Sequence, residues 1–283
     1  MNGLRNIIQD QLNEELQSHT RFSGGCINSV YKCETNIGSR VLKINQVEKF
    51  PLMFSKEIQG LNLLRESPFR IPKVHGTGRF ENWSFLILEC IENNGTHLDS
   101  TLLGENLARM HQITSESFGL DDDNFIGSIE QVNTKHLHWP DFYASQRLGP
   151  LVQKGYDRGY LKKNELTLFE LLYRKLKDLV PQEKPALLHG DLWQGNLIHD
   201  ECSNPVLIDP AVYYGHREMD LSMLELFGDI SESTMNAYQQ AFPLEKRWEE
   251  RKDIHQLYPL LVHLLLFGES YLQAIQYTLK KYT

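Results

Sequence analysis

Two short apolar strands in the second half of the chain each deliver a carboxylate onto a polar loop, in an order that few folds accommodate. The first, Ala186 to Leu188, runs into His189-Gly-Asp-Leu-Trp-Gln-Gly-Asn196, and the second, Val206 to Ile208, ends in Asp209-Pro210. Asn196 lies five residues after Asp191, and Asp209 thirteen after Asn196. A lone Asp behind a strand is ordinarily a turn former or a helix cap. Two strand-borne carboxylates and an amide in this order instead predict oxygen ligands gathered from neighbouring loops at one site.

The rest of the chain indicates what carries those loops. Leu4, Ile7, Ile8, Leu12 and Leu16 recur at helical spacing and predict an amphipathic first helix. Phe22 to Tyr31 holds Gly24-Gly25 in a polar turn that leads into a strand; Arg40 to Ile44 follows a turn at Asn36 to Ser39, so the two strands predict a hairpin. Helical periodicity returns through Leu52, Ile58, Leu61 and Leu64 and is ended by Pro68 and Pro72, and the apolar run Ser84 to Ile91 predicts a central buried strand. Beyond Glu92 to Gly95 helices dominate, over roughly 98–113, 140–154, 164–179, 220–227, 231–241 and 250–275. The pattern predicts an α+β fold in two lobes. Residues 1–92 are expected to form a small antiparallel-sheet lobe, and 93–283 a larger, mostly helical lobe, with a ligand cleft at the joint.

Charge and cysteine content narrow the setting. The formal net charge is −8 and no run of five basic residues occurs, which argues against a nucleic-acid partner. Cys26, Cys33, Cys90 and Cys202 show no CxxC pair and read as reduced thiols. The first residues lack the apolar core of a signal peptide, and the longest apolar run, Leu257 to Phe267, is interrupted by Pro259 and His263 and reads as a buried helix. A cytoplasmic protein with no membrane partner is expected.

The Asp-to-Asn spacing is that of the kinase catalytic loop H-R-D-x-x-x-x-N, with Gly190 in place of its Arg. Phosphoryl transfer needs a nucleophile aimed, its proton accepted and the phosphate charge met by metal ions. Asp191 is therefore predicted as proton acceptor, and Asn196 and Asp209 as ligands of Mg²⁺, which takes few oxygens from protein. His189 reads as an orienting residue rather than a base. For ATP, Lys43 sits where a strand lysine reaches the α- and β-phosphates, with Glu57 as its ion-pair partner and Glu48 as a competitor. Gly24 and Gly25 let backbone amides approach phosphate, and Glu89, Cys90 and Ile91, at the exit of the buried strand, would present backbone groups to adenine.

Together with Ile208-Asp-Pro-Ala-Val-Tyr-Tyr-Gly-His-Arg-Glu-Met-Asp220-Leu, these residues resemble the fructosamine kinase (ketosamine-3-kinase) family, a branch of the aminoglycoside/choline-kinase-like fold. The resemblance runs nearly end to end, through Gly24-Gly25-Cys26-Ile-Asn28, Met53-Phe54, Trp139 with Phe142-Tyr143, and Leu224-Glu-Leu-Phe-Gly228. It implies that the acceptor is the C3 hydroxyl of a sugar-derived ketoamine on a lysine or free amine, and that phosphorylation destabilises the adduct, a role in deglycation. Trp193 would offer an apolar face to the sugar. His216 and Arg217 are candidates for acceptor binding or for holding the loop around Asp209, with an ion-pair brace favoured for the arginine. Asp220 reads as the N-cap of the helix that ends before Gly228, and as a brace on the catalytic loop. Cys26, beside phosphate-facing amides and Lys43, is a candidate for oxidation-sensitive inactivation. Two alternatives stay open: the same machinery acting on an aminoglycoside, choline or another sugar, and a non-catalytic kinase-like binding module.

Overall fold

The computed structural model describes residues 2–22, 28–92 and 97–283. Gly24, Gly25 and Cys26, and Asn93 to Gly95 at the expected joint, lie outside the described residues. The first lobe comprises helix α1 (Asn2–Leu12), strands β1 (Leu16–Arg21), β2 (Ser29–Thr35) and β3 (Ser39–Gln46), helix α2 (Met53–Leu64), and strands β4 (Val74–Phe80) and β5 (Trp83–Glu89). The strands form one sheet in the order β1-β2-β3-β5-β4, every neighbouring pair antiparallel. Alternation along the strands divides their side chains between two helices. Leu42, Phe85 and Ile87 pack with Ile7 and Ile8 of α1, while Leu86 and Leu88 pack with Phe54, Leu61 and Leu64 of α2. Lys43 follows Leu42 and pairs in register with Leu86, so the pleat turns it to the α2 face, where Glu57 waits.

Two strands of this sheet escape the sequence periodicity, and both are its edges. In β1 only Leu16 is buried, and in β4 Gly76 and Gly78 contribute no side chain to either face. Leu16, expected in the first helix, begins β1 instead, because Asn13 takes a left-handed conformation (φ 56°) that ends α1.

The second lobe contains α3 (Ser100–His111), the hairpin β6 (Asn124–Ile126) and β7 (Ile129–Gln131), α4 (Trp139–Phe142), a π-helical turn (Tyr143–Leu148), α5 (Gly149–Asp157), α6 (Lys163–Leu179), β8 (Ala186–Leu188), β9 (Leu197–His199), β10 (Pro205–Leu207), β11 (Tyr213–Gly215), α7 (Glu218–Leu226), α8 (Glu232–Ala241), α9 (Trp248–Phe267) and α10 (Leu272–Tyr282). Its core joins Phe142, Tyr143, Phe169 and Tyr213 to Leu257 and Leu261 of α9. The single helix expected over 250–275 is two, because Gly268 at φ 95° closes α9. Between the lobes, Arg70 pairs with Glu89 of β5 (2.8 Å) and with Asp200 behind β9 (2.9 Å). No helix among the described residues is long and apolar enough to cross a membrane.

Candidate active site

The pairing β8–β11 and the pairing β9–β10 bring the two carboxylate-bearing loops side by side. They are tied by Ile208 N–H donating to the Asn196 carbonyl (3.1 Å) and by Ala211 N–H donating to the His189 carbonyl (2.9 Å). Buried His189 donates from Nε2 to the Ile208 carbonyl (2.9 Å) and accepts at Nδ1 from Asp191 N–H (3.3 Å). Burial holds its pKa below the ordinary histidine range, so it acts as a neutral spacer between the loops. Asp220 accepts from the backbone N–H groups of His189 (2.7 Å) and Gly190 (3.0 Å), which braces the loop from below. It is not a cap: α7 begins at Glu218 with Arg217 already helical (φ −58°, ψ −25°), so Asp220 stands in the first turn.

Gly190 has φ 81°, and a Cβ there would run into the Ala211 carbonyl oxygen. Both constraints require glycine. Gly190→Ala is therefore expected to cost about 3 kcal/mol or more, read as a lowered urea midpoint, with activity falling alongside.

Asp191 is recessed in the cleft. Asn196, itself buried, donates from Nδ2 to the Asp191 carbonyl (2.9 Å) and to its carboxylate (3.0 Å). Burial, and then the charge of Asp209, push the Asp191 carboxyl up to about 7. Asp209 stands at φ 54° with its carboxylate half exposed to the cleft, and one oxygen contacts Lys43 Nζ. Lys43 also holds Glu57 at 2.6 Å. Burial opposes its charge, but Asp209 and Glu57 outweigh it and hold the ammonium well above the usual lysine range. The strand lysine, the helix carboxylate and both loops thus converge.

Glu57, Asp191, Asn196 and Asp209 line a cleft of about 580 Å³, with Lys43 buried behind Glu57 and Asp209. Trp193, also in its lining, lies with its indole over Gly195, where a Cβ would meet the ring. A further part of the lining was not foreseen. It consists of the β6–β7 hairpin from Asn124 to Gly127 and an aromatic group, Phe227, His263, Phe267 and Tyr271. His263 stacks on Phe227 at 4.2 Å and donates from Nδ1 to the Pro259 carbonyl (2.8 Å). Burial lowers its pKa, so the ring is neutral and Nε2 is left as an acceptor. The available signal was His263 and Phe267 at i and i+4 in a run otherwise read only as core.

Other expected site residues lie elsewhere. Arg217 is buried, grips Glu183 through two contacts of 2.8 Å, and donates to the carbonyls of Phe242 (2.8 Å) and Pro243 (2.7 Å). It is a brace and does not line the cleft. Nor does His216, which is fully buried, stacked on His255 at 5.0 Å and beside Trp139. Both side chains are closed off from solvent. His216, Glu218 and His255 bring their ligand atoms within 4.8 Å of one another. However, the rings are nearly parallel (21°), so their nitrogens do not aim at one point, and Arg251 occupies the Glu218 carboxylate (2.9 Å from Nε). Glu89 spends its carboxylate on Arg70 and on Lys73 N–H (3.1 Å); with Cys90 and Ile91 it stands at the β5 exit, outside the lining of this cleft.

The buried histidine cluster carries a pH prediction. Burial and then His255 lower His216 to about 4, with Glu183, Glu218 and Arg217 also acting on it. Glu218 sits at about 2: burial opposes its charge, but His255, His216 and Arg251 outweigh it. Below the ordinary histidine value the unfolded chain takes up a proton that buried His216 refuses, and below the ordinary carboxylate value the same holds for Glu218. The melting temperature is thus expected to fall as pH drops from about 6.5 toward 4, and less steeply in His216→Gln.

The fold is that of the kinase-like phosphotransferases. An aminoglycoside phosphotransferase solved with AMP-PNP and hygromycin B superposes at TM-score 0.67 over 99% of both chains at 13% identity, a likeness of fold alone. The fructosamine kinase family profile matches residues 2–283. A probable ketoamine kinase of Enterococcus faecium is 38% identical over 92% of this chain and 93% of its own. The chloroplastic protein-ribulosamine 3-kinase of Arabidopsis thaliana is 38% identical over 88% and 77%. A Thermobifida fusca structure assigned by name to fructosamine-3-kinase superposes at TM-score 0.88, 32% identical over 99% of this chain and 98% of that one. The chain belongs to the fructosamine kinase family.

Proposed function

We propose that this enzyme transfers the γ-phosphoryl group of ATP to the C3 hydroxyl of a ketoamine formed on a lysine or free amine. The observation that carries this reading is that Asp191, Asn196 and Asp209 line one cleft together with an aromatic group, while Lys43 pairs with Asp209. Residues 1–92 would then bind the nucleotide, and 93–283 would supply the catalytic loops and the acceptor wall.

Asp191 would accept the hydroxyl proton as the oxygen attacks phosphorus. Its raised pKa suits a base, and Asn196 fixes the carboxylate's orientation. Lys43 would meet the nucleotide phosphates from the sheet side, aligned by Glu57. Asn196 and Asp209 fit Mg²⁺. The Asn196 Nδ2 is committed to Asp191, which leaves Oδ1 as a hard donor, and Asp209 adds a carboxylate exposed to the cleft. When bound, the ion would neutralise phosphate charge. Glu89 N–H is taken by the Lys73 carbonyl (2.8 Å), so at the β5 exit Cys90 and Ile91 would be the residues to face adenine through their backbone.

For the acceptor, Trp193 and the His263 aromatic group would sandwich the ketoamine's apolar faces, with His263 Nε2 accepting from a sugar hydroxyl. A polycationic acceptor fits less well. In the only acidic triplet of the sequence, Asp122 pairs with Lys56 (3.4 Å), Asp121 with Lys135 (2.5 Å), and Asp123 accepts Asn133 N–H (2.7 Å). A panel of fructosyl-amine, aminoglycoside, choline and free sugars, assayed with Mg-ATP, tests this. The expected result is a kcat/KM for the fructosyl-amine at least about 100-fold above the others. A preference for aminoglycoside or choline would reject the acceptor assignment.

A further inference from the structure

Behind the cleft runs a chain of buried polar side chains that the chemistry above leaves unexplained. Tyr258 of α9 donates to Gln131 Oε1 (2.6 Å), and Gln131 Nε2 donates both to Asn124 Oδ1 (2.7 Å) and to the Ala211 carbonyl (3.0 Å). Asn124 Nδ2 donates to the Val212 carbonyl (2.8 Å), and its Oδ1 also accepts from Asn133 (3.1 Å). Asn133 in turn accepts from Arg147 of the π-helical turn (2.6 Å), whose guanidinium lies over the rings of Tyr213 (3.9 Å) and Phe142 (4.5 Å). All five side chains are buried. Each amide meets only complementary partners, so turning either Gln131 or Asn124 over would set like against like.

The ends of this chain are informative. Ala211 and Val212 directly follow Asp209-Pro210; Ala211 donates its N–H to the His189 carbonyl, and its own carbonyl oxygen, which accepts from Gln131, is the one that bars a side chain at Gly190. At the other end, Asn124 opens the hairpin that lines the acceptor wall. Apolar residues could fill the same space without the desolvation cost of buried amides, so what the polar chain adds is fixed geometry.

We infer that Gln131, oriented by Tyr258 and acting with Asn124, is a positioning residue that sets the acceptor-wall hairpin against the Asp191 and Asp209 loops. The acceptor half of this inference rests on the function proposed above; the loop half does not. Gln131→Leu removes all three bonds of that side chain, and Tyr258→Phe removes one hydroxyl while keeping the shape. Each variant is measured for AMP-PNP affinity with and without Mg²⁺, for kcat and acceptor KM with a fructosyl-amine, and for melting temperature. Gln131→Leu is expected to lose about tenfold of the Mg²⁺-dependent gain in AMP-PNP affinity and to lower acceptor kcat/KM by about 10- to 100-fold. Tyr258→Phe should move both the same way by less, and the double variant should be no worse than Gln131→Leu, because the hydroxyl acts through the amide. Metal-dependent affinity and acceptor KM both staying within about twofold of the parent, whatever the melting temperature does, would overturn the inference. Should Gln131→Leu fail to fold, Tyr258→Phe decides. Should the parent phosphorylate no ketoamine, the function reading fails and the AMP-PNP measurement still decides this one.

Discussion

Asp191→Ala is expected to lower kcat by about 10²–10⁴ while ATP binding holds or tightens. The asymmetry follows from charge. Asp191 and Asp209 repel one another across the cleft, which is one cause of the raised Asp191 pKa. Removing one carboxylate relieves that repulsion and lessens the negative charge facing a triphosphate. What is lost is the acceptor for the hydroxyl proton, together with the group that Asn196 Nδ2 orients. Asp191→Asn keeps the shape and should fail equally, since an amide accepts a proton poorly. Single-turnover kinetics beside calorimetric titration with AMP-PNP separates the two effects. A variant that loses affinity but keeps its turnover would place Asp191 in nucleotide binding instead.

The second large effect is expected at Lys43. Lys43→Met removes the cation shared by Glu57 and Asp209 and should lower kcat by about 10²–10³, the cost typical of one lost electrostatic donor. It should also destabilise the fold, because Glu57 is left buried without its partner; breaking such a pair costs about 3–5 kcal/mol. Asp209, half exposed, loses less. Lys43→Met combined with Glu57→Leu should therefore recover much of the stability and none of the activity. Urea unfolding and steady-state rates on the four proteins of that cycle check both parts. Recovery of activity in the double variant would mean that Lys43 serves the fold alone.

Much of this site was legible because its residues sit where local sequence rules are strict. The strand–carboxylate–amide order requires only short strands and fixed loop lengths, and the pleat that sends Lys43 to the Glu57 face follows from its place next to Leu42. His189 could be read as an orienting group because a strand-borne loop needs its backbone groups paired. The aromatic wall was not legible. Phe227, His263 and Tyr271 come from three separate stretches of chain, and only the packing of α7 against α9 brings the first two together. For His216 and Arg217 the sequence left acceptor binding open beside a bracing role, for a related reason. A histidine and an arginine just after a catalytic loop look functional, yet β11 carries them away from the cleft and into the core beside Glu183 and His255. The edge strands β1 and β4 were missed because one solvated face and two glycines erase the alternation that marks a strand.

The most direct measurement is the position of phosphate on a fructosyl-amine after incubation with Mg-ATP, read by phosphorus and carbon NMR. The expected product carries phosphate on C3, forms with the parent protein and is absent with Asp191→Ala. Phosphate on another hydroxyl, or transfer that survives loss of Asp191, would contradict the account.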